Sequence, residues 1–210
     1  GYFLSHIERV HADPVHGFDH VMRVYRTAEI LAQSEGADLE IVRAAALLHD
    51  VEGSSPTDAS GRAAHQHHSA DFAAEVLQAE GWPADRIRAV QHCIRAHRYR
   101  GTDEPPATLE ARVLFDADKL DVLGAIGAAR TIAYAVQAGQ PIYAPPSAQF
   151  LASGKTDPEE PHSAYHEYLF KLRRVKERLF TPSARALGEQ RHAALVAYFE
   201  QLHAEMTGER

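Results

Sequence analysis

Residues Asp38–Asp50 read DLEIVRAAALLHD. Ile41, Val42, Ala45 and Leu48 recur at the spacing that gathers apolar side chains on one face of an α-helix. Asp38 stands where an N-capping carboxylate belongs, and Gly53-Ser54-Ser55-Pro56 breaks the pattern soon after its end. The helix therefore delivers an imidazole and a carboxylate, His49 and Asp50, at its carboxyl end, with His49 continuing the face of Val42 and Ala45. Helical spacing recurs in almost every other segment and no run alternates convincingly at period two, so the expected fold class is all-α.

Upstream, Val21, Val24, Ala28 and Leu31 predict a helix over about 19–35 that stops at Gly36, with His20 on its inner stripe. Downstream, a third helix is expected over about 63–80, its Phe72 and Val76 defining an inner face shared with His68 and His65, while His67 points elsewhere. A fourth opens with Pro83 in its first turn, and Ile87, Val90, Ile94 and His97 follow one another on its inner side. A fifth, from Thr108 to about Ala138, is apolar nearly all round and rich in small residues, which predicts a central, closely packed helix. Within it Leu114, Asp118, Asp121 and Ala125 share a face, whereas Asp116 lies about 200° from Asp118 at roughly 100° per residue. Residues 139–162 form a long loop containing Pro and Gly, of the sort that is functional or flexible. Two final helices, about 163–180 and 182–207, are separated by Thr181-Pro182, a cap followed by a first-turn proline.

With 210 residues, 45% of them hydrophobic, the chain is expected to form one domain over 1–210, with a core at about 16–138 and C-terminal helices at about 163–207. A net charge of -7 offers no basic footprint for duplex nucleic acid. The longest apolar runs are too short to span a bilayer, no charged-then-apolar start suggests a signal peptide, and Cys93 is the single cysteine, so the cytoplasm is expected. What stands out is 14 histidines against 22 Lys plus Arg, because imidazole is the commonest protein ligand for transition metals.

An adjacent His-Asp pair closing an apolar helix is costly to bury unless one partner uses both groups, and a divalent cation is such a partner. Metal-assisted hydrolysis needs a few neutral imidazoles and carboxylates around one ion, with a position left for water. Taken alone, the pair also fits a hydrogen-bonded core histidine beside a capping carboxylate.

The pair is not alone. His20 in Asp19-His20-Val21-Met22-Arg23-Val24, the pair in Ala45-Ala46-Leu47-Leu48-His49-Asp50, and Asp118 in Asp116-Ala117-Asp118-Lys119-Leu120-Asp121 together resemble the HD superfamily of metal-dependent phosphohydrolases. The resemblance runs from about His16 to Arg191, through Asp118–Gly127 and a tail around Lys171, Thr181 and Arg191, and is similar to a bacterial HD subgroup proposed to hydrolyse nucleotides with manganese or a like ion. It implies a single-domain HD-type helical bundle with metal ligands His20, His49, Asp50 and Asp118. Related sequences often place an acid three residues before the first histidine; here Gly17 stands there, with Asp19 beside His20.

On that resemblance Asp50 and Asp118 are also catalytic candidates, as orienters of the attacking water, and Glu52 is a candidate general acid or base. Arg23, His68, His97, Lys119, Asp121 and Lys171 are candidates for holding substrate, with a salt bridge the alternative for Asp121; an ion-pair or surface role is favoured for Arg174. The ion is manganese first, with Mg, Fe, Co, Ni or Zn open according to supply. The expected partner is a small phosphate compound, a nucleotide by preference, with no membrane or duplex and with a homodimer open. Two other functions fit the pattern: a two-iron HD-type oxygenase, which would need His68 and His97 as ligands, and a non-catalytic nucleotide or metal sensor.

Overall fold

The structure is a computed structural model that describes residues 18–51, 61–98 and 104–209, with the side chains of 61–65 outside that description. Its described residues are helical with no strand among them. The helices are α1 (Phe18–Glu35), α2 (Leu39–Leu48), α3 (Gly61–Ala79), α4 (Ala84–Ala96), α5 (Leu109–Leu120), α6 (Gly124–Gln137), α7 (Ala148–Ser153), α8 (Ala164–Phe170), a 3-10 helix (Leu172–Arg178) and α9 (Pro182–Thr207). They gather into two compact units, one drawn from the chain up to Asp118 with Phe180–Ala184, the other from Lys119–Leu179 with Arg185–Arg210. No described helix is long and apolar enough to cross a membrane.

In the first unit α2 packs against α1, α3 and α4, and α3 against α4. Its core is built from Val24, Ala28 and Leu31 of α1, Val42 and Ala45 of α2, Ala70 and Ala73 of α3, and Val90 and Ile94 of α4. Asp38 caps α2, accepting from the amides of Glu40 (3.0 Å) and Ile41 (3.2 Å). The same carboxylate takes both arms of the Arg86 guanidinium, at 2.9 and 3.0 Å, which ties α4 to the start of α2.

Four sequence expectations change. Pro83 is the N-cap of α4, one residue before its first turn. The buried stripe of α3 is Gln66, Ser69, Ala70, Ala73 and Leu77, while Phe72 and Val76 are half-buried and His68, like His67, is exposed. Small side chains let α3 approach its neighbours, so the larger apolar ones mark its flank. The fifth helix is two helices, because after Leu120 the chain makes a turn and restarts at Gly124, whose φ of +72° favours glycine. A Cβ at Gly127 would stand 2.2 Å from the Val122 carbonyl oxygen, so that turn needs a second glycine. The penultimate helix also divides: α8 gives way to a three-residue repeat that buries Leu172 and Val175.

The loop before the last helices, in the second unit, is ordered around Glu160. Its carboxylate accepts from the Ser147 amide (2.6 Å) and hydroxyl (2.7 Å), the Asp157 amide (2.9 Å) and His166 Nε2 (3.0 Å). His166 is fully buried, and its Nδ1 meets Ser163 Oγ at 2.7 Å. Burial works to raise the Glu160 carboxyl, but the His166, Ser147 and Asp157 donors outweigh it and hold the group at about 2 against an ordinary 4.5. The folded value is the lower one, so the stabilisation is complete above about pH 4.5 and is lost as pH falls through about 2. Glu160→Gln is therefore expected to melt below the unmodified chain at neutral pH, with the gap closing toward pH 2. Thermal midpoints across a pH series check this, and a gap that does not depend on pH overturns it.

Candidate metal centre

His20 lies in the first turn of α1, on the face that also buries Val24, Thr27 and Leu31, and is 4% exposed. His49 is the C-cap of α2 and Asp50 follows it, both buried. The end of a helix leaves carbonyls without an intrahelical donor. His49 uses one of them: its Nδ1 donates to the Ala46 carbonyl at 2.7 Å. Because a carbonyl can only accept, that bond places the proton on Nδ1 and the lone pair on Nε2. His49 Nε2 is itself buried, with no hydrogen-bond partner among the described residues.

Burial pushes the His49 imidazole below its ordinary proton affinity, the neighbouring Asp50 and Asp118 carboxylates oppose that shift, and His20 adds to it. A neutral, oriented imidazole with a bare lone pair is the form that binds a metal ion. One donor atom from each of His20, His49 and Asp50 lies within 4.8 Å of the others. Asp118, in the last turns of α5, sets Oδ1 at 3.5 Å from His20 Nε2. Its side chain is 17% exposed against 5% for His20, so it is the more open of the two. A further imidazole stands alongside: His97, the C-cap of α4, lies with its ring 5.2 Å from that of His49. His97 is held by the same device, Nδ1 to the Ile94 carbonyl at 2.5 Å.

Arg23 is half-buried on α1, three residues beyond His20. His68, expected to face inward, is exposed. Glu52, with His16, Gly17 and the His65 side chain, lies outside the described residues. Lys119, Asp121 and Lys171 belong to the second unit. There Asp121 is buried in an ion pair with Arg130, the structural alternative of the two readings held for it. It also cannot continue the face of Asp118, because α5 ends at Leu120. Lys171 is 60% exposed and pairs with Glu167 at 2.5 Å, and Arg174 lies over the Phe170 ring.

One arrangement had no counterpart in the sequence reading. The fully buried Asp116 turns away from Asp118, accepting from the Phe180 amide (2.9 Å) and from the Thr181 amide (2.8 Å) and hydroxyl (2.7 Å). Thr181-Pro182 signalled a helix start but not which carboxylate would meet it. Cys93 is buried, and burial pushes its thiol up, away from reactivity.

The HD domain family matches residues 17–123, just over half of the 210. The uncharacterized protein YpgQ of Bacillus subtilis (strain 168) is 29% identical over 196 residues, 92% of this chain and 85% of YpgQ. The crystal structure of Bacillus subtilis YpgQ in complex with ADP superposes with a TM-score of 0.71 at 28% identity, covering 98% of both chains. A structure described as an HD-superfamily hydrolase from Bacillus thuringiensis gives 0.67 at 26% identity, over 98% of this chain and 97% of that one.

Proposed function

We propose, from the premise that this chain belongs to the HD domain family, that it is a metal-dependent phosphohydrolase acting on a nucleotide or a related small phosphate. The observation that carries the reading is His49 Nε2, a buried lone pair that no group among the described residues satisfies, within reach of His20 and Asp50 donors. Leaving such an atom unpartnered costs about 1–3 kcal/mol, whereas a cation turns that cost into a bond. A mixed set of imidazole and carboxylate donors suits Mn, Fe, Co or Zn, and manganese is our first expectation.

In this reading His20, His49, Asp50 and Asp118 hold the ion. The chemistry such an ion supplies is the acidification of a water from about 15.7 toward about 7 and relief of charge on the phosphoryl oxygens. Asp118, nearer to solvent, orients the attacking water by accepting its proton's hydrogen bond, with Asp50 able to share the task. Attack at phosphorus forms one P–O bond and breaks the P–O bond to the leaving group, which departs with a proton from solvent or from Glu52. Arg23 and His97 are proposed to steady the phosphate. The Ala46 carbonyl contributes by fixing the His49 ring and its tautomer, as second partners of metal-binding imidazoles do.

Support for a nucleotide comes from YpgQ, crystallised with ADP. The two-iron reading needs His68 and His97 together; His97 is beside His49, but His68 is exposed, so the hydrolase is favoured. The test is hydrolysis of nucleoside tri-, di- and monophosphates by metal-stripped protein resupplied with Mn, Mg, Co or Fe. Turnover that needs the ion is expected. Silence across the panel from folded, metal-loaded protein would abandon the proposal.

A further inference from the structure

The residues that lead into α5, Glu104–Ala107, read Glu-Pro-Pro-Ala. Proline has no amide hydrogen and a fixed φ, so Pro105 and Pro106 stiffen this strap and leave Ala107 as the first residue after Glu104 able to donate. Two helices hold it. Glu104 accepts from His92 Nδ1 at 2.5 Å and from Arg95 Nε at 2.6 Å, both on α4. The Pro106 carbonyl accepts from Arg112 Nε of α5 at 3.2 Å. Ala107 donates its amide hydrogen to the other ring nitrogen, His92 Nε2, at 3.2 Å. His92 thus grips both ends of the strap, one with each nitrogen. Directly beyond it, Thr108 Oγ1 accepts from the Ala111 amide at 3.2 Å and starts α5, the helix that carries Asp118.

These partners leave the ring one protonation state. A backbone amide can only donate, so Nε2 is bare; an ionised carboxylate can only accept, so Nδ1 carries the hydrogen. Glu104 is ionised: burial works to raise its carboxyl, but the Arg95 and His92 donors outweigh that and hold it below the usual carboxylate range. We propose that His92 is a proton-operated latch on the entry to α5, closed by the neutral ring and opened at Ala107 when Nε2 takes a second proton. The two ends respond differently. A protonated Nε2 meets the Ala107 amide donor to donor, and that bond is lost, whereas Nδ1 keeps Glu104 in a charge-assisted bond. Exchange of tautomers offers no way round this, because a hydrogen moved to Nε2 would face the same amide and leave a lone pair on Nδ1 against the carboxylate. The ring is 16% exposed, so solvent protons reach it.

The charged groups on the elements around the ring set its surroundings. On α4 these are Arg95 and, one turn before His92, Arg88. At the start of α5 they are Arg112, which holds Pro106, and Glu110, whose charge bears on Cys93 beside His92 and which accepts from the Asp38 amide at 3.1 Å. Toward α3, the neighbouring Gln91 donates to the Ala70 carbonyl, and Asp71 and Glu75 of that helix are exposed. Glu104 is the carboxylate in contact with the imidazole, and it stays in contact in both states. The latch works whether or not Asp118 binds a metal ion, so its failure and that of the phosphohydrolase reading are separate results.

Nuclear magnetic resonance of the full, isotope-labelled chain reads this out between about pH 8 and pH 5, the range in which imidazoles change charge. At the upper end the His92 ring nitrogens are expected to show the hydrogen on Nδ1 and a bare Nε2. As the ring gains its second proton, the Ala107 amide should lose at least ~10-fold of its protection from hydrogen exchange, corrected for the intrinsic dependence on pH, while the amides of α2 keep theirs. In His92→Phe the Ala107 amide should be unprotected throughout, with no step. A hydrogen found on Nε2 at pH 8 overturns the proposal, as does a ring that stays neutral to pH 5. So does an Ala107 amide whose protection ignores the titration of the ring, or a step that survives in His92→Phe. The measurements on the unmodified chain decide the matter even if that variant does not fold.

Discussion

Replacing His49 by alanine is expected to lower metal-dependent nucleotide hydrolysis by at least three orders of magnitude, about 4 kcal/mol of transition-state stabilisation. The size follows from what the side chain contributes. It supplies the buried Nε2 lone pair, and it is held in the required tautomer by the Ala46 carbonyl. Removing it subtracts one donor from a cluster of three closely placed ones and leaves Asp50 buried beside an apolar alanine. Rate alone would not separate a lost ligand from a disturbed core, so stability supplies the second reading. An ion at 100 times its dissociation constant stabilises the folded chain by about 2.7 kcal/mol, roughly 5–10 °C in a protein of this length. The unmodified chain should show that rise when manganese is added, and His49→Ala should not. Without metal the two should differ less, because the alanine variant loses ring packing against His20 and His97 but also loses a nitrogen that nothing among the described residues satisfies. A variant that keeps the full metal-induced rise removes His49 from the ligand set.

The parts of the molecule that were legible in the sequence are those where several local signals coincide. For α2 a capping aspartate, helical spacing and a terminating Gly-Ser-Ser-Pro run agree, and the helix lies where they place it. The inward directions of His20, His49 and His97 follow from the same spacing, and all three are buried. What the sequence concealed is decided by backbone turns and by size. Apolar periodicity runs unbroken through Leu120–Gly124, yet the chain turns there because Gly124 adopts a left-handed conformation, and nothing in a run of small residues distinguishes that glycine from its neighbours. On α3 the bulk of Phe72 and Val76 suggested the inner face, whereas Ser69, Ala70 and Ala73 occupy it because close helix packing favours small side chains. The tautomer of His49 lay beyond any sequence pattern, since it depends on a 2.7 Å contact with a carbonyl.

Asp116 shows how two carboxylates two residues apart on one helix can be separated by experiment. Its oxygens receive three donors from Phe180 and Thr181, just ahead of the 26-residue helix α9. Near a helix amino end a carboxylate also meets a favourable dipole, so its burial is compensated without a cation. Asp116→Ala strips all three donors of their acceptor inside the core and is expected to cost about 4 kcal/mol, or roughly 8–16 °C in melting temperature. Asp116→Asn keeps the shape and one carbonyl oxygen but turns an amide donor toward other donors, so about half that loss is expected. Asp118→Asn should behave in the opposite way. With its 17% exposed side chain beside His20 it should leave the metal-free melting temperature within about 2 °C and weaken manganese binding at least tenfold. The contrast tests the assignment from both sides. If Asp116→Asn instead weakens manganese binding in a chain of undiminished stability, Asp116 is a ligand and the anchoring role described for it is wrong.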